Sequence, residues 1–169
     1  TNDLPRTIAD MAKSVADTPL VYRVVAKANF ALEDHWYQNV ERDIRANGWQ
    51  YVVMQQGPSA AAASAANLLL WTQALDVTIT SVGARSAMYE VWPPQSTPTA
   101  FAAVRDAYLG AAQAVNGMFI PAGESWRAAN VRAPSVALYS ADGYHPTPAG
   151  TYMAALVHFE MLYDRPATD

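Results

Sequence analysis

Residues 139–163 read YSADGYHPTPAGTYMAALVHFEMLY, from Tyr139 to Tyr163. Asp142, Gly143, Tyr144 and His145 spell D-G-Y-H, and Pro146 follows. Thr147-Pro148 is a helix start, with a Thr N-cap and Pro at the first helical position. Tyr152, Ala155, Leu156, Phe159 and Tyr163 recur at helical spacing and predict one apolar face. Asp142 and His145 therefore sit on a tight loop fixed to a buried helix. A carboxylate so placed can accept from one ring nitrogen and fix the tautomer. The other nitrogen is then free to take a proton from a nucleophile. The same spacing also fits a turn carboxylate capping local N–H groups beside a solvent-facing His. No third ligand lies at helpful spacing, so a metal site is not indicated.

Working back from this block, helices and strands alternate. Leu4, Ile8, Met11 and Val15 are spaced for one buried stripe, and Asp3 can cap that helix. Asp17-Thr18-Pro19 breaks it. Leu20–Ala28 (LVYRVVAKA) reads as a strand with Val21, Val24 and Val25 inward. After a loop at 29–31, Leu32, Trp36, Val40 and Ile44 share one helical face that ends at Gly48. Trp49–Gln55 reads as a buried parallel strand. It runs into the polar loop Gln56-Gly57-Pro58-Ser59. An Ala-rich helix spans about 60–82, and its small side chains suit close packing on a sheet. Ala84–Trp92 is the next strand. Residues 99–115 form a helix with Phe101, Val104, Tyr108 and Ala111 inward. Residues 117–121 form a short strand, and a short helix covers about 123–130.

This alternation predicts an α/β fold with parallel strands and helices on both faces. Ligands of such sheets bind beyond the carboxyl ends of the strands. The loops at 29–31, 55–59 and 92–98 should then share a rim with His145. The 169 residues suit one domain, 1–169. A net charge of −4 without a basic cluster argues against nucleic acid and anionic membrane surfaces. With no cysteine, disulfides and thiol chemistry are excluded. No apolar run reaches the length of a membrane span, and no glycine-rich phosphate loop follows a strand. The compartment is left open, a secreted or periplasmic one included.

The block D-G-Y-H-P-T-P-A-G-T-Y resembles the last block of the SGNH (GDSL-type) hydrolases. Y-V-V-M-Q-Q-G-P-S resembles the same superfamily, and N-F-A-L-E-D-H-W and I-P-A-G-E-S-W resemble one bacterial branch of it. The resemblance implies a flavodoxin-like three-layer α/β/α sandwich and a serine esterase with no metal or organic cofactor. It makes His145 and Asp142 two members of a Ser-His-Asp triad. The family serine lies in a G-D-S or G-N-S turn after its first strand, and neither tripeptide occurs here. The resemblance therefore implies a first strand and serine upstream of Thr1, or a partner segment that completes the sheet. It places oxyanion donors near Ala28 or Asn29 and at Gln55 or Gln56, where the family has Gly and Asn. Its implied substrate is an acyl ester of a small molecule or carbohydrate. A non-catalytic module that binds a sugar or a partner protein at the same rim is the alternative.

Trp92 ends a strand at this rim. Trp92 and Tyr144 are the candidate pocket residues, with packing in the core as the other reading for Trp92. Gln55 fits equally a strand-end amide bonded to a loop. Ser59 is out of register with the family nucleophile. His35, at the start of a helix, suits a surface or supporting place, and His158 a structural one. Trp36, Trp71 and Trp126 read as packing residues, and Glu124 as a helix-start cap. Thr1 as an N-terminal nucleophile would need a processed terminus and a different fold.

Overall fold

The computed structural model describes residues 3–15, 18–46 and 48–167. Asp17 and Thr1 lie outside them, so the helix break and the terminal nucleophile fall beyond the description. Three strands form a parallel sheet in the order β1 (Tyr51–Met54), β2 (Arg85–Tyr89) and β3 (Met118–Ile120). Tyr51 pairs with Arg85 and Met54 with Met88, and Ala87 pairs with Met118 and Tyr89 with Ile120. β1 and β3 are short apolar runs, β2 opens on Arg85-Ser86, and Val53 on β1 stays exposed.

Two helical layers cover them. On one face α4 (Ala62–Ser81) and α5 (Phe101–Ala114) pack Leu68, Leu75, Ile79, Val104, Tyr108 and Ala111 against Met54 and Met88. On the other, α7 (Pro148–Tyr163) and α6 (Ala122–Arg132) bring Ala154, Val157 and Trp126 to Ala87, Met118 and Ile120. Helix α1 (Leu4–Val15) lies along α7. The α/β sandwich with a parallel sheet is thus the architecture that the alternation predicts. All four inward residues expected on α5 are buried. Gly83, at φ +78°, ends α4 in a conformation that L side chains avoid.

The expected strand at Leu20–Ala28 is not formed. That segment is irregular, and Val21 is 80%, Val24 55% and Val25 40% exposed. A run of β-branched residues becomes a strand only when a neighbour takes its N–H and C=O groups. No described strand lies beside it. The segment is instead tied to the next helices, by an Arg23–Asp43 ion pair and by Lys27 donating to the Gln38 amide. β1 likewise has a sheet neighbour on one side only among the described residues.

The helix expected from Leu32 toward Gly48 is two short ones, α2 (Leu32–Tyr37) and α3 (Glu41–Arg45). Asn39 between them has φ +61°, a left-handed turn that Asn tolerates well. The apolar period survives the break, since Leu32 and Ile44 are buried against the α4 side and Trp36 and Val40 pack beside them. In α1, Ile8 and Ala12 are buried but Val15 is exposed. In α7 the inward face includes Thr151, Ala154, Ala155, His158 and Phe159, while Tyr152 points outward. His158 is structural, as expected. Its Nδ1–H donates to Ala154 O at 2.8 Å, and its ring meets Tyr89 edge-on. Burial pushes its pKa down to about 4.

Candidate active site

The D-G-Y-H loop is a closed turn. Ser140 N–H donates to His145 O, Thr147 N–H to Leu138 O, and Tyr139 bridges to Pro146. Gly143 sits at φ +66°. Thr147 caps α7, accepting from Gly150 N–H at 3.1 Å, while its own hydroxyl donates to Ala137 O. The loop therefore enters the helix with its direction fixed.

Within this turn Asp142 is saturated with donors. Its Oδ1 accepts from the N–H groups of Tyr144 and His145, each at 2.9 Å, and lies 2.9 Å from Ser140 Oγ. Its Oδ2 lies 2.5 Å from His145 Nδ1. The His145 hydrogen bond comes first among the causes that hold this carboxyl well below the usual range, followed by the two N–H groups and Ser140. The acid is therefore ionised, and an ionised acceptor puts the ring proton on Nδ1. No described residue hydrogen-bonds Nε2, and the His145 side chain is half exposed. An imidazole held in this tautomer with an open Nε2 is equipped to take a proton from a hydroxyl.

The loop rests on the chain just past β2. Gln95 N–H donates to Gly143 O at 2.8 Å, and the Tyr139 hydroxyl donates to Pro93 O at 2.8 Å. The Trp92 indole N–H donates to Tyr144 O at 3.0 Å. Trp92 is 7% exposed and stacks on Trp126, with centroids 3.5 Å apart and planes 4° from parallel. Its face is thus covered, which is the packing reading of this residue. Tyr144 is the more open of the two expected pocket residues.

Trp126 also meets Tyr139 edge-on and donates to Gly150 O at 3.3 Å. A Cβ at Gly150 would stand 2.5 Å from both the Trp126 ring and Leu138 O. This close approach is the physical reason for glycine in the P-A-G-T-Y run. Gly150→Ala should lower stability by about 1–3 kcal/mol through overpacking. A denaturant midpoint unchanged in that variant would contradict this packing.

The other loops lie at the same end of the sheet. Asn29 has φ +62°. A left-handed position is where glycine is favoured, and Asn is its commonest substitute. Asn29 is therefore suited to the conformation of this turn. Of the two glutamines, Gln56 is buried and engaged. Its Oε1 accepts from Leu32 N–H, its Nε2 donates to Ser59 Oγ, and its backbone bonds the Tyr108 hydroxyl. The Gln56 amide thus locks the 29–32 and 55–59 loops together, with one of its two N–H groups spent on Ser59. Gln55 is exposed, and its amide donates to Gln56 O. His35 packs edge-on against Phe30, and burial lowers its pKa. Glu124 pairs with Arg127 at 2.9 Å.

Glu90 has no counterpart in the sequence reading. It is wholly buried one residue past β2. Its Oε2 accepts from Glu124 N–H at the start of α6, and its Oε1 has no partner. Desolvation raises its pKa to about 8. A single acidic residue among Tyr89, Val91 and Trp92 was the only available signal. Among the described residues no cluster of His, Asp or Glu is arranged to hold a metal ion, and no helix is long and apolar enough to cross a membrane.

No protein-family model and no curated protein matches the chain. Two solved structures resemble it. "A putative SGNH hydrolase from Slackia heliotrinireducens" is 23% identical with a TM-score of 0.79, covering 94% of this chain and 90% of its own. A DUF4886 family protein from Bacteroides uniformis is 21% identical with a TM-score of 0.59, covering 77% of this chain and 56% of its own. These likenesses concern the fold alone: the chain is an α/β sandwich, and its fold is similar to those of these two proteins.

Proposed function

We propose that the chain carries the acid–base half of a serine ester hydrolase. The observation that carries this reading is the Asp142–His145 pair, 2.5 Å apart on a fixed turn with Nε2 open. The serine arrives on a strand outside these residues, seated against the free edge of β1. Two observations support that place among the described residues: the one-sided pairing of β1, and the valine-rich segment 20–28, which forms no strand.

Nε2 of His145 takes the serine proton as the oxygen attacks the acyl carbonyl. The resulting imidazolium is stabilised by ionised Asp142 and gives the proton to the departing alcohol. Water then repeats the sequence on the acyl-enzyme, with its proton passing through Nε2 to the serine. Asn29 N–H and the Gln55 or Gln56 amide are the candidate donors to the developing oxyanion, each worth about 3 kcal/mol in such a role. The substrate is an acyl ester of a small molecule or carbohydrate, and the reaction calls on no metal or organic cofactor.

In an ester-cleaving polypeptide that contains this chain, His145→Ala should lower turnover of a p-nitrophenyl ester by about 10⁴-fold or more. Turnover unchanged in that variant would refute the assignment.

A further inference from the structure

We infer that Trp92 is a positioning residue that sets the geometry of the Asp142–His145 pair. The inference rests on the proposed role of that pair and assigns to this side chain a task separate from binding substrate. The peptide joining Tyr144 to His145 is held at both ends. Its C=O accepts from the Trp92 indole at 3.0 Å, and its N–H donates to Asp142 Oδ1 at 2.9 Å. A peptide is planar, so the two bonds together fix its orientation. That orientation decides where Oδ2 stands relative to Nδ1.

The indole is a directed donor because it cannot turn. It is nearly fully buried, and its face lies against Trp126, which is itself wholly buried and bonded to the first turn of α7. Rotating the indole away from Tyr144 would forfeit its packing on the Trp126 ring. The other bonds beneath the loop run to Gly143 and from Tyr139, which lie farther along the turn from the His145 peptide. Among the described residues, Trp92 is the one group from outside the turn that hydrogen-bonds the peptide entering His145.

Trp92→Phe tests this, since a phenyl ring keeps most of the stack and has no N–H. The first readout uses the unmodified chain. By NMR, the Trp92 indole proton should exchange with solvent far more slowly than that of a free indole. Fast exchange in the folded chain would overturn the inference. In Trp92→Phe, the His145 Nδ1 proton should exchange about tenfold faster than in the parent, the scale expected for one lost hydrogen bond. An unchanged rate in a folded variant would also overturn it.

In an ester-cleaving polypeptide, kcat should fall about tenfold with KM unchanged. A raised KM at constant kcat would make Trp92 a binding residue and sink the proposal. The exchange measurements need no catalysis. Should His145→Ala leave turnover intact while they hold, the esterase reading fails and the positioning of the loop by Trp92 stands.

Discussion

Asp142→Asn should reduce ester turnover by about 10⁴-fold while the fold persists. The cause is the direction of one hydrogen bond. Asp142 now accepts four donors, three at Oδ1 and the imidazole at Oδ2. An asparagine keeps its carbonyl oxygen toward the three and turns its NH₂ toward Nδ1. Two donors cannot face each other, so Nδ1 must accept and the ring proton moves to Nε2. The nitrogen that should take the serine proton then already carries one. The chain itself reports this change. Nitrogen-15 spectra should show the His145 proton on Nδ1 in the parent and on Nε2 in the variant. The same tautomer in both would contradict the proposed orientation, whatever the turnover does.

The second large effect concerns stability. Glu90 has a folded pKa of about 8 against an ordinary 4.5, because burial penalises its charge. A raised folded pKa means that the folded chain keeps a proton the unfolded chain releases. Its contribution is complete below pH 4.5 and is lost as pH rises toward 8. His158 acts in the opposite sense. Its folded pKa of about 4 lies below the ordinary 6.5, so its contribution is complete above pH 6.5 and is lost as pH falls through 4. Between pH 6.5 and 8 only Glu90 of these two titrates, which makes that window diagnostic. The folding free energy should fall there by roughly 2 kcal/mol, at about 1.4 kcal/mol per pH unit. Glu90→Gln removes the titration and keeps an acceptor for Glu124 N–H. Urea unfolding at pH 6.5 and pH 8 should therefore give nearly equal stabilities in the variant. A slope equal to that of the parent would assign the pH dependence to another group.

The readability of these features differs for physical reasons. The Asp142–His145 pair was legible because it is local: four residues, a turn and a capped helix settle its shape. The α5 face was legible because its period is unbroken. Leu20–Ala28 misled because β-propensity describes fit to a sheet, and the sheet neighbour is supplied by other residues. Gln55 and Gln56 were inseparable by chemistry, yet strand alternation separates them. Met54 and Gln56 point inward, and Val53 and Gln55 outward. Trp92 and Glu90 depend on long-range packing. One needs Trp126 and Tyr144, and the other the N-terminus of α6, which Gly123 lets approach because a Cβ there would collide with Glu90 and Val91. Nothing local to either residue specifies those neighbours.

The central claim is that Nε2 of His145 serves a serine carried outside these residues. A fluorophosphonate probe, followed by peptide mapping, tests it most directly. Applied to an ester-cleaving polypeptide that extends upstream of Thr1, the probe should label one serine in the added segment, and His145→Ala should abolish the labelling. Label on Ser59, Ser140 or any other serine of the present chain, or labelling that persists without the imidazole, would contradict the account.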